Sequence, residues 1–159
     1  MNKNTTQDGF EFDPTGRSLP IALLRAREKV MERFRPILQR HGVTEQQWRV
    51  IRVLDEAPGM DMRALSKASN VLGPSLSRMT KGLEQRGLIE VRRTVDDARR
   101  ASLRLTAKGL ALIQTIAPES AAIRDEIEAK VGAERIEVLL YHLDGLLQDL
   151  DDDPTAGPG

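Results

Sequence analysis

The chain has 159 residues, with 24 Lys plus Arg against 24 Asp plus Glu and no Cys, enough length for one domain or two small lobes with a real core. Hydrophobic residues at 40% and charged residues at 30% exclude collagen-like and wholly disordered classes, and the lack of cysteine excludes disulfides, thiol nucleophiles and Cys-ligated metals. The zero net charge is segregated: residues 60–108 carry 11 basic and 5 acidic side chains, residues 109–159 carry 3 and 11, so one surface suits a polyanion and another avoids it.

No apolar run approaches the roughly 20 residues that span a bilayer, and the first residues (MNKNTTQDGFEFD) lack the hydrophobic stretch of a signal peptide. A cytoplasmic protein without membrane contact is expected. Residues 1–17 are polar, without sustained period, and predict a flexible N-terminal tail. Ser18 is placed to cap a helix with Pro20 in its first turn. Leu23, Leu24, Val30, Met31, Phe34, Ile37 and Leu38 then follow helical spacing along one face. That face continues past Pro36, which predicts a bend there, and His41-Gly42 closes the helix.

Thr44-Glu45-Gln46-Gln47 is a capping box opening a second helix, with Trp48, Ile51 and Leu54 on its apolar face and a stop at Pro58-Gly59. Asp61 caps a short third helix anchored by Leu65, and Asn70 to Gly73 turn the chain. Pro74 sits at the first position of a fourth helix, which runs to about Arg86 and ends on a left-handed Gly87. The period then falls from 3.6 to 2: residues 88–94 and 101–105 read as strands around a polar tip at 95–100. Thr106 caps a long helix bearing Leu110, Ile113, Ile116, Ile123, Ile127 and Val131, with a bend at Pro118. Gly132 separates it from a last helix rich in leucine.

Short helix, turn, helix and antiparallel hairpin describe a winged helix-turn-helix. The fold class is mainly α with a β-hairpin wing and a helical dimerisation region. The winged lobe is expected over 44–106 and the dimerisation helices over 18–43 and 107–150. Residues 151–159 are expected to form a disordered acidic tail.

On the fourth helix Leu76, Met79 and Leu83 form the expected buried stripe, opposite Arg78, Lys81 and Gln85, with Ser75 and Ser77 near the N-terminus. Arg78 can donate two hydrogen bonds to a guanine edge, Gln85 can read adenine, and Lys81 offers a mobile charge for phosphate. Arg92, Arg93, Arg99, Arg100 and Arg104 crowd the hairpin; Arg99 and Arg100 at its tip suit the negative potential of a minor groove, and Asp97 is placed to hold one of them. The strand arginines also fit an ordinary polar face. In the last helix Ile136, Leu143 and Leu150, Leu139 and Leu146, and Leu140 and Leu147 form three heptad rows, too wide a face for one neighbour, which predicts a homodimer. Two-fold symmetry would set two reading helices about 34–36 Å apart on a palindromic double-stranded site.

Leu72-Gly73-Pro74-Ser75-Leu76-Ser77-Arg78-Met79, Leu83-Glu84-Gln85-Arg86-Gly87-Leu88-Ile89, Asp97-Ala98-Arg99-Arg100 and Leu105-Thr106-Ala107-Lys108-Gly109 resemble the MarR family of bacterial regulators, over about residues 18–150. More narrowly, Ala26-Arg27-Glu28, Phe34-Arg35-Pro36-Ile37, Arg40-His41 and Thr44 to Arg49 resemble the family's regulators of homoprotocatechuate (4-hydroxyphenylacetate) degradation. The resemblance implies a dimer with its first and last two helices interleaved, helix 74–86 in the major groove and the hairpin in the minor groove. It makes Ser75, Ser77, Arg78 and Lys81 base or phosphate readers, Arg99 the minor-groove arginine and Asp97 its anchor. The family often has a bulkier or charged residue where Gly73 stands, so one backbone contact is absent here.

The resemblance further implies a repressor of an aromatic-acid catabolic operon, released when a small phenolic acid binds between reading lobe and dimer helices. An aromatic carboxylate effector needs an apolar slot and one or two cations; Arg27, His41, Trp48 and Arg49 are the candidates. Each also has a plain structural role: Trp48 in the core, His41 as a helix C-cap, Arg27 and Arg49 in surface ion pairs. No nucleophile elbow, zinc-helix motif, Walker loop or dinucleotide fingerprint is present, so no catalytic residue, metal or cofactor is expected. The alternatives are a winged-helix adaptor that binds protein through the leucine face, or, within the same family resemblance, a regulator of a different aromatic or stress response.

Overall fold

The computed structural model describes residues 18–94 and 97–151, with side chains except those of residues 93, 94 and 97–100. Its elements are α1 (Leu19–Arg40), α2 (Glu45–Glu56), α3 (Met62–Ser69), α4 (Gly73–Gln85), β1 (Ile89–Thr94), β2 (Asp97–Leu105), α5 (Ala107–Val131) and α6 (Ala133–Asp151). They form two compact units, one ending at Ile116 and one starting at Ala117. The expected tails at 1–17 and 152–159 lie outside the described residues, and Asp151 ends α6 rather than opening the tail.

Helix boundaries follow local chemistry. Thr44 Oγ1 accepts from the Gln47 amide at 3.2 Å while Gln47 Oε1 accepts from the Thr44 amide at 3.0 Å, a complete capping box. Asp61 accepts from the Ala64 amide at 2.8 Å at the start of α3. At the end of α4, Gly87 has φ +70°, its N–H bonds Glu84 O at 2.8 Å and the Leu88 N–H bonds Leu83 O at 3.0 Å, the paired bonds of a Schellman motif. Two expectations change. Ser18 stands at the N-cap of α1 without a side-chain cap bond. Helix α4 begins at Gly73, one residue early, so Pro74 is its second residue and Leu72 is the N-cap, also without a side-chain cap bond. A Ser or Asp in place of Leu72 would add about 0.5–2 kcal/mol of helix stability.

The core of the first unit joins Ile51 and Leu54 of α2, Leu65 of α3, Leu76 and Leu83 of α4, Ile89 of β1, Leu103 of β2 and Ile116 of α5, all fully buried. Each contributes roughly 1.5–3 kcal/mol relative to exposure. In α4 the buried stripe is Leu76, Thr80 and Leu83, while Met79 is half-buried. Both spacings suit a helix. Thr80 takes the inner place because its hydroxyl donates to Ser77 O at 3.1 Å, which removes the penalty of burying it unbonded.

The hairpin is antiparallel, from Ile89 opposite Leu105 to Arg93 opposite Ala101, with a register irregularity between Arg93 and Thr94. Strand β2 starts at Asp97, four residues before the expected 101. Backbone pairing runs on past the point where apolar alternation ends, since the ladder needs no apolar side chains. On its other edge Leu103 exchanges bonds with the 59–60 segment: its N–H donates to Met60 O at 2.8 Å, and its O accepts from Gly59 N–H at 2.9 Å.

Long apolar faces stay open. In α1 only Ile37 and Leu38 are buried, and Leu23, Leu24 and Val30 are exposed. In the second unit no residue of α6 is buried, and Leu139 and Leu147 are 53% and 62% exposed. The apolar periodicity of these helices thus marks faces that the described residues leave uncovered.

Candidate nucleic-acid interface

Helix α4 buries Leu76, Thr80 and Leu83 and turns its opposite face outward. Ser77, Arg78, Lys81 and Gln85 are exposed and Ser75 is half-buried. Arg78, Lys81 and Gln85, spaced three and four apart, make one stripe. Among the described residues neither Arg78 nor Lys81 is held by an ion pair. Their donors are free for an anion or a base edge, and α3 and the α3–α4 turn set the helix's pose. Beside the stripe runs an open groove of about 590 Å³ between α4 and the hairpin, lined by Met62, Ser77, Thr80, Lys81, Glu84, Val91 and Ala101. The groove was missed in sequence because its walls meet only after the hairpin folds back.

The hairpin arginines divide. Arg92 Nε donates to Glu90 Oε1 at 2.8 Å, the ordinary behaviour of a polar strand face. The Arg104 guanidinium lies over Gly59, 3.2 Å from where a Cβ would stand. The side chains of Arg93, Asp97, Arg99 and Arg100 lie outside the described residues. Their backbone at 97–100 belongs to β2 rather than to the tip.

The hairpin and the start of α5 are tied to the end of α4. Thr106 Oγ1 donates to Gly87 O at 2.6 Å and accepts from the Gly109 amide at 3.1 Å, while Lys108 Nζ donates to Arg86 O at 2.8 Å. Arg86 and Gly87 directly follow the last residue of α4, so these bonds fasten the end of β2 and the start of α5 to the end of the reading helix.

The four effector candidates sit on α1, α2 and their junction. Arg27 donates to Glu28 at 2.8 Å and to Glu45 at 2.5 Å; Arg35 donates to the same two carboxylates. Two arginines of α1 thus share Glu28 of α1 and Glu45 in the first turn of α2, where helix amides also favour a negative charge. His41 is half-buried at the α1 C-cap. Trp48 is half-buried rather than in the core, because Val50, Ile51 and Leu54 take the inner face. Arg49 is half-buried, and its buried Nε has no hydrogen-bond partner among the described residues. Arg35 was not singled out in sequence; the i to i+7 spacing from Glu28 places both on one helix face.

Burial raises the Glu45 pKa, but the hydrogen bonds from Arg35 and Arg27 outweigh it and hold the carboxyl below 4.5. A depressed folded pKa adds stability that is complete above the unfolded value and lost as pH falls through the folded one. Glu45→Gln is therefore expected to lower the Tm at pH 7 by an amount equivalent to about 0.5–1 kcal/mol, with the gap from the parent closing below about pH 4.5. Thermal melts between pH 3 and 7 check this; a gap independent of pH would remove the ion pairs from the account.

Among the described residues no helix is long and apolar enough to cross a membrane. The model of the MarR family matches residues 41–100, from the end of α1 into β2. The homoprotocatechuate degradative operon repressor of Escherichia coli is 39% identical over 127 residues, covering 80% of this chain and 86% of that protein. NadR in complex with 4-hydroxyphenylacetate matches with a TM-score of 0.78 and 36% identity, over 84% of this chain and 98% of that one. The transcriptional repressor CouR, bound to a 23-mer DNA duplex, matches with a TM-score of 0.76 and 28% identity, over 83% and 94%. A helix-turn-helix with a free cationic stripe, a hairpin wing and relatives of this extent make one conclusion: the chain belongs to the MarR family of DNA-binding transcriptional regulators.

Proposed function

We propose that the protein is a homodimeric repressor of an aromatic-acid catabolic operon, released from its operator by a small phenolic carboxylate. The observation that carries the DNA part is the outward stripe of Arg78, Lys81 and Gln85 on a helix whose other face is core. In this reading Ser75, Ser77, Arg78, Lys81 and Gln85 meet the major groove, and Arg93, Arg99 and Arg100, with Asp97 as anchor, meet the minor groove. The leucines of α6 and α1 left exposed among the described residues support the dimer, since a second copy would supply apolar cover.

The effector follows from the relatives: one represses homoprotocatechuate degradation and another binds 4-hydroxyphenylacetate. Arg27, His41, Trp48 and Arg49 are proposed to receive it. Among the described residues the Arg49 Nε lacks an acceptor, which a carboxylate would supply. Such a ligand acts only by binding the released conformation more tightly than the DNA-bound one. The residues assign no catalytic step, and a cytoplasmic location accords with an operator as target.

Fluorescence anisotropy with a duplex from the protein's own promoter tests the reading. Affinity is expected to fall by roughly 10³–10⁵ between 50 and 200 mM salt as counterions are released, and either phenolic acid is expected to release the duplex. Absence of duplex binding even at 50 mM salt would favour the adaptor reading. A binding curve that neither acid moves would reject the effector assignment.

A further inference from the structure

The N-terminal end of α4 is apolar where a helix usually places a polar cap. Leu72 is the N-cap residue with no side-chain cap bond, although Ser, Thr, Asp and Asn are the residues that satisfy the free amides there. It is also 80% exposed, more than any other large hydrophobic side chain among the described residues. Gly73 and Pro74 beside it are exposed too, and nothing lies within 4 Å of a Cβ built on Gly73. From Asn70 to Ser77 no residue is charged; the first cation of α4 is Arg78, more than a turn in.

A lone exposed leucine needs no explanation. A leucine that forgoes both a cap and the core, at the end of a helix-turn-helix reading helix, does. N-terminal residues of such helices approach the base edges. The tip has no cation for a phosphate, and Pro74 removes one of the first-turn amides that would bind one. Among base-edge groups in the major groove, the apolar one is the thymine C5-methyl.

We propose that Leu72, with the bare backbone of Gly73 beside it, reads a thymine methyl group in each half-site of the operator. The claim rests on the DNA-binding reading and adds to it a specificity determinant separate from Arg78. Gly73 allows close approach because no side chain stands between the helix end and the groove floor. One base pair in each half-site should then be T·A for apolar contact, independent of the hydrogen-bonded positions.

The test uses the full chain and a duplex selected by it from a random pool, in which each thymine is replaced in turn by deoxyuridine. That change removes the methyl and keeps every hydrogen-bonding group. One symmetric pair of positions is expected to lose about fifteen-fold in affinity, four-fold for each methyl. Leu72→Ser is expected to bind the thymine duplex weakly and no longer to distinguish it from the deoxyuridine duplex. Its Tm should rise, since serine supplies the missing cap, so weak binding cannot be assigned to misfolding. Wild-type indifference to every deoxyuridine, or a Leu72→Ser variant that still discriminates, would overturn the proposal. Failure of the parent chain to select any duplex would overturn the DNA-binding reading itself.

Discussion

Arg78→Ala is expected to lower operator affinity by about 1–3 kcal/mol in each half-site, and so by roughly 2–6 kcal/mol for a two-fold complex. The side chain is exposed and, among the described residues, unpaired. Its removal should leave the folding stability within about 0.5 kcal/mol of the parent's. An arginine that reads a base has a further signature: the variant should bind the operator and an operator altered at the contacted base with nearly the same affinity. If both duplexes lose affinity equally, Arg78 contacts phosphate alone. Arg99→Ala supplies the contrast, since a minor-groove arginine should weaken cognate and random duplex alike. Undiminished affinity in that variant would remove Arg99 from the interface.

Gly109→Ala is expected to destabilise the first unit by about 2–4 kcal/mol, with a Tm lower by about 10 °C. A Cβ at Gly109 would stand 2.2 Å from Leu88 O and 3.3 Å from Leu105 Cδ2. The carbonyl cannot step aside cheaply, for it accepts the Thr106 N–H at 3.1 Å. Thr106 and Lys108 tie the same turn to Gly87 O and Arg86 O. Alanine's better helix propensity offsets only about 1 kcal/mol of the clash. Gly82→Ala is the control: with nothing within 4 Å of its Cβ position, it should hold or raise the Tm. A Gly109→Ala melt matching the parent's would mean that the junction of α4, β1 and α5 yields freely. Operator affinity should fall with stability, because this junction holds the hairpin against the end of the reading helix.

Particular residues show how far the sequence can be read. Thr44, Gln47, Asp61 and Gly87 were legible because a cap is chemistry between neighbours along the chain. The outward stripe of α4 was legible because three charged or amide side chains share one helical face. Trp48, half-buried instead of core, and Thr80, buried in place of Met79, were not. Hydropathy ranks side chains one at a time, whereas burial depends on what another helix brings to the same place. Arg27 is the clearest case in the candidate effector region. As a sequence it offered a cation, and in the fold it shares Glu28 and Glu45 with Arg35.

The order of elements, the caps at Thr44, Asp61 and Gly87, the reading face and the segregation of charge were thus set by the sequence alone, since each rests on periodicity or on contacts a few residues apart. Tertiary structure alone decided that Leu103 pairs with Met60 on the free edge of the hairpin. It also decided that Gly109 must bear no side chain, that Leu72 stands outside the core, and that no residue of α6 is buried among the described residues. Each of these depends on surfaces brought together, or left apart, by residues distant in sequence. Such distances leave no period to read, and only packing fixes which atoms meet.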